Sequence, residues 1–182
     1  MTGPPGSNPA DRRQAARRSE VVPAMRAIGR CAEDGAYEAA FSIERPGGSA
    51  PSAEQWARAL FEEAPRVLRW FLIIGWTAIT CRLRPRRARS RVLGWQIERA
   101  SPDTVVLAVS AWVGLTSRLV ISVGAGRVTV ASFVSFAGPA KPVARTVWAA
   151  TIPLHERIQP YLLTAAARRH RAGDWPATSC WA

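Results

Sequence analysis

The residues Trp148, Ile152, His155, Ile158, Leu162 and Ala166 recur at spacings of three and four, which places them on one apolar face of a helix. An imidazole on an apolar wall titrates near neutral pH and can act as a general acid/base, or as the polar handle that orients a ligand. The same residue bonded to backbone, or packed where Pro160 interrupts the helix, would be purely structural. Nothing in the sequence completes a catalytic set around it. There is no G-x-S-x-G elbow, His170 stands in an Arg-rich helix end, and Glu156 points off the face that carries His155. Cys31, Cys81 and Cys180 are isolated and form no C-x-x-C pair, so neither a metal nor a cofactor is expected. Glu62 and Glu63 at a helix end, and Glu98 and Asp103 around a turn, read as solvated carboxylates. Gly124-Ala125-Gly126 joins two strands and opens no helix, so it is a hairpin turn and not a phosphate cradle.

Arg82, Arg84, Arg86, Arg87, Arg89 and Arg91 crowd into ten residues without an acid. Three readings stand side by side. The stretch is a solvated loop, an anionic-membrane patch beside the apolar segment that precedes it, or a phosphate-backbone contact. Nucleic acid is the weakest of these, because no interleaved aromatics, RNA-binding motif or helix-turn-helix context accompanies the charge.

The chain has 25 Lys+Arg against 13 Asp+Glu, a net charge of +12, over 182 residues that are 48% hydrophobic. That composition excludes a fibrous or wholly disordered protein and fits one domain. Lys141 is the sole lysine, and such a skew toward arginine follows from GC-rich codons as readily as from an anionic partner. The longest apolar run, WFLIIGWTAITC over 70–81, is 12 residues, where a spanning helix needs ~20. With no signal-peptide pattern and no paired cysteines, a reduced, cytoplasmic protein is expected.

Residues 1–34 are expected to form a disordered basic tail, with Met25 a second candidate initiator, and 173–182 a flexible end. Between them, 35–172 read as one domain. Tyr37 to Ile43 alternates like a half-buried strand. Ser52 and Gln55 have capping-box spacing before a helix from Ala53 to Glu63, and Pro65 opens a second that runs to Cys81. Four strands follow, Val92–Arg99, Thr104–Val113, Ser117–Val123 and Arg127–Phe136, in a meander. Helices from Pro142 to Ala150 and from Pro153 to Arg171 close the chain, the second expected to bend at Pro160. Trp56, Trp70, Trp76, Trp95, Trp112 and Trp148 all lie in these elements and read as core; the alternative is that some of them line a pocket.

The order strand, two helices, meander, long helix resembles the helix-grip domains of the START, Bet v1 and polyketide cyclase-like superfamily. The stretches SAEQWARALFEEAPRVLRWFL, VLGWQIER and VWAATIPLHERIQPYLLTAA look like an uncharacterised bacterial family near it. The resemblance implies an α+β fold in which a curved antiparallel sheet wraps a long C-terminal helix and leaves a cavity. Four strands after the helices, where such domains have six, imply a shallow one. The expected function is non-covalent binding of a small apolar molecule, a lipid or polyketide-like metabolite. Its candidate contacts are Gln96, Ser110, Ser132, Trp148, Ile152 and His155. If Gln96 faces the cavity, Trp95 must turn away. The alternatives are a cyclase or dehydratase using His155, or an anionic-surface binder using Arg82 to Arg91.

Overall fold

The computed structural model describes residues 15–29, 37–45, 51–78, 90–124 and 126–172. Among these the chain forms β1 (Arg17–Ser19), α1 (Pro23–Gly29), β2 (Tyr37–Glu44), α2 (Ala53–Phe61), α3 (Arg66–Ala78), β3 (Arg91–Val92), β4 (Trp95–Ala100), β5 (Thr104–Ser110), β6 (Leu115–Gly124), β7 (Arg127–Phe136) and α4 (Lys141–Ala172). The strands make a single antiparallel sheet in the order β1-β2-β7-β6-β5-β4-β3, and α4 lies across it. This is the α+β, helix-grip arrangement that the element order implies.

Alternation divides the sheet residues between two faces. Phe41, Leu107, Leu119, Ile121, Val130 and Val134 point inward, to the main core shared with α2, α3 and α4. Ala40, Val106, Val120, Ala131 and Phe133 point outward and are buried too. A sheet apolar on both faces needs cover on both, and the outer cover comes from the N-terminal segment. Val21, Met25 and Ile28 of this segment, at i, i+4 and i+7, pack on the outer patch. Arg26 holds Glu38 through a 2.7 Å ion pair. β1 pairs with β2, the Ala16 N–H donates to Thr164 Oγ1 at 3.0 Å, and Arg18 meets Glu156 at 3.0 Å. Residues 17–19 and 23–29, read from sequence as part of a disordered tail, are therefore structured. The patch they cover is assembled from distant strands, so no local pattern reveals it. A chain beginning at Met25 loses β1 and the buried Val21. It should be less stable by about 3 kcal/mol in urea unfolding, given the burial free energy of one such side chain and the lost strand pairing; an unchanged midpoint would mean that the segment contributes nothing.

Ser52 caps α2 as its spacing predicts. Its hydroxyl accepts from the Gln55 N–H at 3.3 Å, and its own N–H donates to Gln55 Oε1 at 2.7 Å. The meander departs from expectation at its start. Val92–Arg99 is not one strand but a hairpin, in which Val92 pairs with Trp95 across Leu93 (φ 46) and Gly94 (φ 94). Two positive φ angles define the tight turn that suits strand twist, and glycine takes one of them freely. Leucine in the other is offset by burial and by its N–H, which donates to Glu62 Oε1 at 3.2 Å. Five strands, not four, therefore follow α3. Thr104–Val113 also shortens to end at Ser110, leaving Trp112 in a turn and 69% exposed, not in the core.

The two expected C-terminal helices are one. α4 runs 32 residues through Pro153 and Pro160, each of which removes a single backbone bond from a long ladder. Leu162, Leu163, Ala166 and Ala167, at 1% exposure or less, hold it against the core. No described helix is long and apolar enough to cross a membrane.

Candidate functional site

Between α4, α3 and the inner face of β4, β5 and β6 the side chains do not close on one another, and a cavity of about 250 Å³ remains. Large rigid aromatics create it, because they meet at their edges and leave space that flexible aliphatics would fill. Trp76 and Trp95 meet edge to face at 5.3 Å, with Phe61 5.9 Å from Trp76. Val109, Leu115 and Leu119 supply the sheet wall, and α4 contributes Trp148, Thr151, His155, Ile158 and Leu162, the three-four spacing of one helix face. Phe71 of α3 and Leu154 of α4 belong to the wall yet are 44% and 43% exposed, so the cavity opens between these helices.

Polar groups are few and gathered around His155. Tyr37 Oη lies 3.3 Å from His155 Nδ1, and Gln159 Nε2 lies 3.4 Å from His155 Nε2. With the Gln159 amide donating to Nε2, the ring proton sits on Nδ1 and is donated to Tyr37, an assignment made from the pattern of donors. Arg18 holds the Glu156 carboxylate at 3.0 Å, and the charge of that carboxylate acts on the Tyr37 hydroxyl. Tyr37 and Trp148 enclose the imidazole, with ring centroids 5.6 and 5.5 Å away. Burial lowers the His155 pKa from 6.5 to about 4. Tyr37 is pushed up to about 12, first by burial and then by the Glu156 carboxylate. Both groups are neutral at physiological pH. The Nε1–H groups of Trp95 and Trp148 and the Ser132 hydroxyl are buried without a partner among the described residues.

No protein-family model, curated protein or solved structure matches this chain. The site therefore rests on its own geometry. Of the six residues expected to contact a ligand, Trp148 and His155 lie in the wall together. Ile152 is half-buried against the core beside it, Thr151 taking the wall position one residue earlier. Ser132 is buried on the inner face of β7, outside the cavity lining. Gln96 and Ser110 are exposed, and alternation puts them on the outer side. In β4 it is Trp95 that turns inward, the reverse of the arrangement a cavity-facing Gln96 requires, because burying the indole removes more apolar surface from water. Arg91 is half-buried in the β3 edge, and Arg82, Arg84, Arg86, Arg87 and Arg89 lie outside the described residues.

Sequence reasoning missed Tyr37, Ser117 and Gln159. Gln159 follows His155 by four positions, so its place beside the imidazole was available from helical spacing. Ser117 and Tyr37 carried no such signal; sheet pairing and the crossing of α4 bring them there. Among the described residues no group of three His, Cys, Asp or Glu comes together as a metal site.

A histidine whose folded pKa lies below its unfolded value is protonated more readily when the chain unfolds. The stabilisation from neutral His155 is complete above pH 6.5 and is lost as pH falls toward 4, and a fall from 6.5 to about 4 corresponds to about 3 kcal/mol. Urea unfolding between pH 7.5 and 4 should show this component in the native chain and lose it in His155→Gln. Equal pH dependence of the two would place the imidazole in contact with water.

Proposed function

We propose that this protein binds a small apolar molecule non-covalently in the cavity between its sheet and α4. The single observation that carries the reading is the wall itself, built mostly of aromatic and aliphatic side chains, with neutral His155 and Gln159 at one point and Tyr37 bonded to the imidazole from outside the lining. Such a site favours an uncharged ligand that carries one hydrogen-bonding group, since no charged side chain lines the cavity to balance an ion. The volume of about 250 Å³ lies under the ~300 to 1,000 Å³ of drug-sized sites, which fits a compact ring system or the end of a lipid chain. Either agrees with the resemblance to the START and polyketide cyclase-like superfamily.

The cyclase or dehydratase reading is less well supported. Proton transfer is fastest when the catalytic group titrates near the working pH, and His155 at about 4 is a weak base and a scarce acid at neutrality. Native mass spectrometry of protein purified from a bacterial host tests binding. The expected result is a discrete adduct of small-molecule mass that disappears on unfolding. A clean apo mass, together with no quenching of tryptophan fluorescence by neutral aromatic probes, would overturn the proposal.

A further inference from the structure

α3 is apolar on two sides. Leu68, Leu72, Ile73 and Trp76 face the core, while Val67, Trp70, Phe71 and Ile74, at i, i+3, i+4 and i+7, are 84%, 56%, 44% and 63% exposed. An exposed stripe of that length on a soluble surface marks an interaction site. On α4, Leu154 is also exposed, and it shares the cavity wall with Phe71, so the stripe borders the opening. The charge on the helix itself has one sign, since α3 carries Arg66 and Arg69 and no acid.

We propose that the outward face of α3, with Leu154 beside it, docks on an anionic lipid bilayer. A bilayer surface rewards both features at once, because apolar side chains sink into the acyl boundary while arginines meet the headgroup phosphates. Nucleic acid would use the arginines but gain nothing from Val67, Phe71 and Ile74. A second copy of this chain would use the apolar stripe but bring the same positive charge against itself. Docking of this kind brings the cavity opening to the membrane, where an apolar molecule is most concentrated, although the surface stands whether or not the cavity is filled.

Sedimentation with phosphatidylcholine vesicles, with and without phosphatidylglycerol, tests it on the full chain. The native protein is expected to bind the anionic vesicles, to bind less as salt rises, and to leave phosphatidylcholine alone in solution. Val67→Ser with Ile74→Ser should weaken partitioning at least about tenfold while Tm stays in place, since both side chains are already exposed. Gly75→Phe, which fills the cavity, should leave vesicle binding intact and so separates this surface from the cavity. Vesicle binding unchanged by the double substitution overturns the proposal, as does its absence. Vesicles displaced by duplex DNA with no sensitivity to Val67 and Ile74 would instead assign the arginines to nucleic acid. Dimers that the double substitution dissociates, without vesicle binding, would assign the stripe to a second copy.

Discussion

Gly75→Phe is expected to lower affinity for cavity ligands by at least about a hundredfold while leaving the fold as stable as before, a loss of ~2.7 kcal/mol in binding free energy. Gly75 lies inside α3 and lines the cavity, and a Cβ built there meets no atom within 4 Å. The new side chain therefore starts into open space, and its ring takes volume a ligand would occupy. A glycine in a helix interior is also conformationally costly, so replacing it offsets part of the entropy lost on folding. Thermal unfolding and titration of a neutral aromatic probe, followed by tryptophan fluorescence, check the two halves separately. Full affinity in a folded variant would place the ligand elsewhere on the molecule. A fall in Tm would mean that α3 packs more closely than the open space beside Gly75 indicates.

Trp56→Ala should cost about 3 to 5 kcal/mol and lower Tm by roughly 10 °C, the largest stability effect expected here. Trp56 is fully buried in α2 and stacks on the His170 ring of α4 at 5.9 Å, with the planes 10° apart. One turn on, Arg169 donates to the carbonyl of Ala59 at 2.7 Å and to that of Glu63, which ties the end of α4 to the last turn of α2. Removing the indole leaves a void where two helices and the sheet converge, and α4 is the element that carries Trp148, His155 and Gln159. The variant should therefore lose ligand affinity together with stability, unlike Gly75→Phe, which separates them. Urea unfolding with a loss under about 1 kcal/mol would show that the neighbours collapse into the space.

The difference between the two substitutions bears on what could be read in advance. The Ser52–Gln55 cap, the apolar face of α4 and the alternation in β2 are local, with every partner within about four residues, and these were legible. So was the neighbourhood of His155 along its own helix, where Trp148 precedes it by two turns. Two of the misleading features depended on distant partners. Leu93 gave no turn signal, because its positive φ depends on burial and on Glu62, which lies 31 residues earlier in the chain. Val21, Met25 and Ile28 read as tail, because the patch that they cover draws on four different strands.

The sequence by itself determined the α+β class, the succession of strand, two helices, meander and C-terminal helical region from Tyr37 onward, and the placing of one histidine on an apolar helix face, since each follows from periodicity and capping between near neighbours. Only the tertiary structure decided which face of each strand turned inward, excluding Gln96 and Ser110 and admitting Trp95. It alone set Tyr37 against His155, 118 residues apart, and left a space among the aromatics that surround them. Both faces of the strands are apolar enough to be buried, so composition cannot choose between them. The choice falls to packing, in which the rigid rings of Trp76, Trp95 and Trp148 fit on one side of the sheet and Phe133 on the other.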